Sequence, residues 1–209
     1  MPYVLYVDSL FTSPWAMSVF VALIEKGLPF TVTQIDLAAG QQHAGAYAAH
    51  ALTARVPALA DTEAGFTLTE STAITEYLDE RFPAPASAPL YPHALHQRAR
   101  ARQVQAWLRT DLQALRTERD TETIFLGKAS VPLTPAGQAA AAKLIHVAGQ
   151  LVHGPNLFGD WSIADVDLSI MLMRLISNGD PVPEALGAYA ALHWERPSVR
   201  QWLAQTRRA

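Results

Sequence analysis

The segment Ala54-Arg55-Val56-Pro57-Ala58-Leu59, followed after ten intervening residues by Glu70-Ser71-Thr72-Ala73-Ile74, constrains this chain more than any other feature. Proline has no N–H, so a Val-Pro pair between apolar residues marks the entry to a strand rather than its middle. An X–Pro bond also takes the cis form at a tolerable ~0.5–1 kcal/mol. A cis Val56-Pro57 bond turns the Val56 N–H and C=O outward, ready to pair with an extended peptide. Glu70-Ser71 then opens a helix with a carboxylate, a hydroxyl and backbone N–H groups. Together these groups form a site for a small zwitterionic peptide.

The surrounding pattern places that site in a layered half-domain. Residues 3–7 form a β-branched and aromatic run, read as a first strand. Thr12-Ser13-Pro14 is a helix start, a hydroxyl cap with proline at the first helical position. Met17, Phe20, Val21 and Ile24 follow at helical spacing, and Gly27 ends the helix. Phe30 to Ile35 alternates as a second strand, and residues 38–53 read as a loop with a short helix. Val56 to Ala60 is expected as the third strand, and Phe66-Thr67-Leu68, after a turn at Thr62–Gly65, as the fourth. Ser71 is expected to cap a helix running to about Arg81. The order β-α-β-α-β-β-α is that of a thioredoxin-like layer with a right-handed first crossover.

Four prolines, Pro83, Pro85, Pro89 and Pro92, mark a linker. Beyond it every segment reads as helix: 94–118, 134–153, 163–178, 182–190 and 197–207. The fold class expected is therefore α/β plus all-α. Its domains are a thioredoxin-like domain over 1–83, a linker over 84–92 and an all-helical domain over 93–209.

These residues carry a resemblance. Val56-Pro57 with Glu70-Ser71, Ser13-Pro14-Trp15 after the first strand, and the run Asn156 to Asp165 resemble the cytosolic glutathione S-transferases over nearly the whole chain. The stretch Arg98 to Arg109 looks like the bacterial YfcF-type members. The resemblance implies that the Val56-Pro57 loop holds the cysteinyl part of glutathione through backbone bonds, and that Glu70 and Ser71 hold its γ-glutamyl end. The chemistry suits this. Glu70 can take the ammonium, while the Ser71 hydroxyl and the helix-start N–H groups take the carboxylate. A plain helix start with Glu70 solvated is the alternative. The implied activity is transfer of the glutathione thiolate to an electrophile, with glutathione peroxidase activity in bacterial relatives and a homodimeric assembly.

Within that resemblance Ser13 is the candidate catalytic hydroxyl. A thiol like that of free cysteine has a pKa near ~8.5. A donated hydrogen bond and the positive end of the first helix both favour its ionised form. The alternative use of Ser13 is as an N-cap alone. Thr12 and Ser9 are rival hydroxyls, and Tyr6 a minor one, since some branches of the family use a tyrosine near this strand. The glycyl carboxylate of glutathione has four candidate partners, Gln42, His43, His50 and Arg55, and the sequence does not choose among them. The lysine that some relatives use here is missing. Leu10, Phe11, Trp15 and Arg109 are candidates to line an apolar co-substrate site.

Several classes are disfavoured. The chain contains no cysteine, so any thiol chemistry comes from the bound co-substrate rather than from a protein thiol or disulfide. A net charge of −3 argues against nucleic-acid binding. No apolar run approaches the ~18 residues of a membrane span, and the first residues read as a strand, so a cytoplasmic location is expected. The seven histidines show no metal spacing, and no glycine pattern forms a nucleotide loop. No metal and no permanently bound cofactor are expected. Arg98, Arg102 and Arg109 read as a solvated face beside a core stripe that includes Trp107. Ser162 to Asp165 fits a helix capping box and is assigned to structure. Two other functions fit the same residues: a non-catalytic protein-interaction role on this fold, and a glutathione-dependent cis-trans isomerase.

Overall fold

The computed structural model describes residues 1–128 and 130–206. It divides into two compact units: residues 1–90 with residues 201–206, and residues 91–200.

The first unit is built on a four-stranded sheet of order β2-β1-β3-β4, with β1 Tyr3–Asp8, β2 Phe30–Ile35, β3 Ala58–Asp61 and β4 Phe66–Thr69. β1 pairs parallel with β2 and antiparallel with β3, and β3 pairs antiparallel with β4. The parallel pair is joined by α1, Pro14–Glu25, as such a pair requires. Gly27, at φ +65°, ends that crossover in the left-handed conformation that costs glycine least. α1 and α3, Ser71–Arg81, pack on each other. They bury Met17, Leu23, Ile74 and Leu78 with Leu5 and Leu59 of the sheet. The short α2, Gly45–His50, follows a single 3-10 turn at Gln41–His43.

The expected third strand begins two residues later than read, at Ala58. Pro57 has no N–H for the ladder, and the pairing starts where Ala58 meets Tyr6 on one side and Thr69 on the other. Residues 84–90, inside the proline-rich stretch, are tied to the first unit. The buried Lys26 Nζ donates to the carbonyls of Phe82 (2.7 Å) and Ala88 (2.9 Å) and pairs with Asp79 at 2.8 Å. The Leu90 N–H also donates to Asp79 Oδ1 at 2.8 Å, and the Ser87 hydroxyl to the Lys26 carbonyl at 3.3 Å.

The second unit is helical: α4 Leu95–Thr110, α5 Gln113–Glu118, α6 Thr121–Phe125, α7 Pro135–Leu151, α8 Ile163–Ile176 and α9 Glu184–Trp194. α10, Pro197–Leu203, runs from the second unit into the first. α8 is buried almost from end to end, its Asp165, Asp167 and Arg174 included. The capping box at its start forms: Asp165 Oδ2 accepts from the Ser162 N–H (2.8 Å) and hydroxyl (2.9 Å).

The single helix expected over 94–118 is broken. Leu112 takes φ +59°, and the Asp111 carboxylate accepts from the Leu112 N–H at 2.7 Å and from Trp107 Nε1 at 3.1 Å. A side chain that takes up the next backbone N–H competes with the helical ladder. Lys143 of α7 pairs with the same carboxylate.

Candidate active site

Sheet topology brings the functional residues together. β1 and β2 run parallel and β3 opposes β1, so the C-terminal end of β1 lies beside the N-terminal end of β3. The C-terminal end of β4 joins them. The register row Tyr6–Ala58–Thr69 fixes this. The loop after β1, carrying Ser13, the loop before β3, carrying Val56-Pro57, and the turn after β4, carrying Glu70-Ser71, therefore emerge from one end of the sheet. The loop after β2, carrying Gln42 and His43, emerges from the same end through the pairing of Asp8 with Ile35.

Ser13 is the N-cap of α1, and its Oγ accepts from the Ala16 N–H at 3.2 Å. The cap and the donor reading are compatible, because accepting through a lone pair leaves the hydroxyl proton available. That proton has no acceptor among the described residues. Thr12 differs: its hydroxyl donates to Asp8 Oδ2 at 3.0 Å, and its N–H to the same oxygen at 2.7 Å. The Ser13 N–H donates to Asp8 Oδ1 at 2.9 Å. Ser9 continues the sheet, its N–H bonded to the Ile35 carbonyl at 3.1 Å. Tyr6 lies edge-on to Tyr47, 5.3 Å between ring centres, and packs in the small core of Ile35, Tyr47, Ala51 and Ala58.

The Val56-Pro57 bond is cis. Among the described residues neither the N–H nor the C=O of Val56 pairs with other backbone, while its side chain packs against that same small core. The preceding carbonyl, Arg55, accepts from the Tyr47 hydroxyl at 2.6 Å. Burial pushes the Tyr47 hydroxyl up to about 12, with the neighbouring Tyr6 adding to the rise, so it stays a donor at neutral pH.

Ser71 is not the helix cap expected. It is the first residue of α3, and Glu70 occupies the cap position, its carbonyl accepting from the Ile74 N–H at 3.0 Å. Glu70 holds φ +69° and ψ 112°, outside the ordinary regions for a residue with a side chain. Such a conformation costs ~1–3 kcal/mol and recurs at ligand clamps. The exposed Glu70 carboxylate and the buried Ser71 thus sit side by side at a helix start, a place suited to an anion.

Of the four candidates for the glycyl carboxylate, Gln42 has a buried side-chain oxygen with no hydrogen-bond partner among the described residues, an acceptor suited to an N–H rather than to a carboxylate. Two co-substrate expectations are overturned. Phe11 is buried, its ring 5.0 Å from that of Trp202, and its carbonyl accepts from the Thr206 hydroxyl at 3.1 Å. Arg109 is committed within the helical unit, its Nη1 3.0 Å from Asp167 Oδ2 and 3.1 Å from the Gln105 carbonyl. Arg98 lies over the Tyr91 ring at 5.1 Å. Among the described residues no three His, Asp or Glu side chains gather as a metal ion requires, and no helix is long and apolar enough to cross a membrane.

Sequence reading missed Asp8, Tyr47, Trp202 and Thr206. Only Asp8 had a local signal, an acid at a strand end four and five residues before two hydroxyls.

Comparison with known proteins identifies the family. Residues 12–81 match the family model for the glutathione S-transferase N-terminal domain, and residues 94–208 that for the C-terminal domain. The chain is 30% identical to human glutathione S-transferase theta-1 over 213 residues, covering 95% of this chain and 79% of that protein. It is 34% identical to mouse glutathione S-transferase theta-3, covering 90% and 78%. The fold of a glutathione transferase homologue from Burkholderia gl BGR1, solved with bound glutathione, superposes with a TM-score of 0.80 at 41% identity, covering 99% of this chain and 98% of that one.

Proposed function

Since this chain belongs to the glutathione S-transferase family, we propose that it binds glutathione at the sheet end described above and activates its thiol for transfer. The observation that carries this reading is the meeting of three backbone-fixed elements at one sheet end. They are the unpaired Val56 peptide groups, the Glu70-Ser71 helix start and the uncommitted Ser13 hydroxyl proton. A glutathione-bound homologue of 41% identity supports the choice of peptide.

In this reading the Val56 N–H and C=O pair with the cysteinyl residue as an added strand would. Glu70 takes the γ-glutamyl ammonium, and Ser71 with the α3 N-terminus takes the adjacent carboxylate. In this reading the Gln42 side-chain oxygen, which has no partner among the described residues, accepts from the glycyl N–H. The thiol loses its proton to solvent. Ser13 Oγ–H then donates to the sulfur, and the positive end of α1 adds to the stabilisation of the thiolate. The thiolate attacks an electrophilic carbon, forming a C–S bond as the leaving group departs with its electron pair. With a hydroperoxide it attacks the terminal oxygen instead, releasing the alcohol, and a second glutathione completes the disulfide with loss of water. A dimeric, cytoplasmic enzyme is part of the same proposal.

Calorimetric titration of reduced glutathione into wild type and Glu70→Ala tests it. Binding in the micromolar-to-millimolar range, ~−8 to −4 kcal/mol, that weakens in the variant supports the site. A folded wild type that binds no glutathione overturns the enzymatic reading in favour of a protein-interaction role.

A further inference from the structure

Two adjacent hydroxyls, Thr12 and Ser13, stand where a thiolate donor is needed, and one buried carboxylate separates their roles. Asp8 ends β1 and is buried. Its Oδ2 accepts both the N–H (2.7 Å) and the hydroxyl (3.0 Å) of Thr12, and its Oδ1 accepts the N–H of Ser13 (2.9 Å). The Thr12 hydroxyl proton is thereby spent. The Ser13 hydroxyl, which accepts from Ala16 at 3.2 Å, keeps its proton for a ligand. The loop between them is tight: Phe11 sits at φ +56° and donates its N–H to the Asp8 carbonyl at 3.1 Å. The Asp8 side chain therefore holds both residues that follow the loop's left-handed corner.

We propose that Asp8 is a positioning residue for thiolate formation: it takes up the Thr12 hydroxyl and fixes the Ser13 backbone, so that Ser13 alone presents a proton to the glutathione sulfur. This rests on the reading of Ser13 as the thiolate donor.

Removing the Asp8 charge shifts the bound thiol pKa in a direction that depends on how Asp8 acts. A carboxylate near a thiolate acts on it by charge repulsion, so its removal would lower the thiol pKa if charge were its main influence. A carboxylate that acts by positioning has the opposite effect, because Asp8→Asn replaces one acceptor oxygen with a donor NH2 and breaks the three-donor arrangement.

The test is titration of enzyme-bound glutathione by its ultraviolet thiolate absorbance, with kcat and KM for glutathione, in wild type, Asp8→Asn, Thr12→Val, Ser13→Ala and the Asp8→Asn/Ser13→Ala double variant. Positioning predicts that Ser13→Ala and Asp8→Asn each raise the bound thiol pKa by about one to two units, the worth of one hydrogen bond to a charged group. It also predicts that kcat falls with KM within about threefold, that the double variant goes no further than Ser13→Ala, and that Thr12→Val, which removes one donor to Asp8 but not the Ser13 proton, shows a smaller defect than Ser13→Ala. A lowered or unchanged thiol pKa in Asp8→Asn beside a raised one in Ser13→Ala overturns the role of Asp8 and leaves that of Ser13 standing. An unchanged pKa in Ser13→Ala overturns both. If Asp8→Asn does not fold, Thr12→Val decides: a defect smaller than that of Ser13→Ala supports the division of roles, and a defect equal to it overturns it.

Discussion

The Tyr47 hydroxyl of α2 donates to the Arg55 carbonyl oxygen across 2.6 Å, one residue before Val56. The ring is buried among Ile35, Ala51 and Ala58 and lies edge-on to Tyr6. One side chain thus fixes the backbone immediately ahead of the peptide groups proposed to pair with glutathione. Tyr47→Phe keeps the packing and leaves the Arg55 carbonyl without its donor, a loss of about 0.5–1.5 kcal/mol for a neutral bond. The expected outcome is a KM for glutathione raised about two- to tenfold with kcat little changed. Equal affinity in calorimetry would show that Arg55 is held by other means.

Ser13 and Ser71 differ in position and should differ in kinetics. Ser13→Ala removes a group that acts on the sulfur and is expected to lower kcat with little change in glutathione affinity. Ser71→Ala removes a buried hydroxyl at the α3 start and is expected to weaken binding by about 1.5–3 kcal/mol, the range for a bond to a charged group. Steady-state kinetics with a fluorescence or calorimetric Kd separates the two. An unchanged Kd in Ser71→Ala would remove it from the γ-glutamyl site.

What the sequence made legible follows from what kind of signal each feature leaves. β1, α1, β2 and α3 are periodic and bounded by Pro14, Gly27 and the Glu70-Ser71 pair, so local pattern sufficed. The cis Val56-Pro57 bond was readable because only proline makes it accessible. The break at Asp111-Leu112 was not, since it depends on one carboxylate bonding its own successor and on a lysine 32 residues away. The sequence offers Phe11 as a co-substrate lining residue for the same reason. Its burial depends on Trp202 and Thr206, the latter 195 residues distant in sequence. In the site itself, the sequence proposes Ser13, Val56, Glu70 and Ser71 as ligand contacts and leaves Gln42 one of four candidates, while the residues that hold them, Asp8 and Tyr47, leave no such signal. The first kind follows from residue chemistry, the second from distances that only the folded chain defines.

Lys26 closes the first unit. Its side chain is fully buried, paired with Asp79 at 2.8 Å and bonded to the carbonyls of Phe82 and Ala88. Lys26→Met fills similar space and leaves a buried carboxylate and two carbonyls short of a donor. Breaking one side of such a pair costs about 3–5 kcal/mol. The expected result is a urea midpoint lowered by a large fraction of the total stability, with residues 84–90 losing hydrogen-exchange protection. A loss below about 1 kcal/mol would show that water replaces the lysine.

His193 gives the second unit a pH dependence of known sign. The ring is buried, its Nε2–H donates to the Pro155 carbonyl at 2.9 Å, and Tyr189 packs edge-on at 4.6 Å. Burial holds its pKa below the ordinary histidine value, and Arg196 adds to the depression. The Asp165 carboxylate, 3.8 Å away, and the bond to Pro155 oppose it. With the folded value below the unfolded one, near ~6.5, the unfolded chain binds more protons between the two. The stability this residue contributes is fully present above pH ~6.5 and falls as pH drops through the folded value. Urea unfolding at pH 7.5, 6.5 and 5.5 should show a falling midpoint in wild type. His193→Gln, which keeps a donor for Pro155 but does not titrate, should show a shallower fall over the same range. Parallel slopes in the two proteins would assign the pH dependence to other groups.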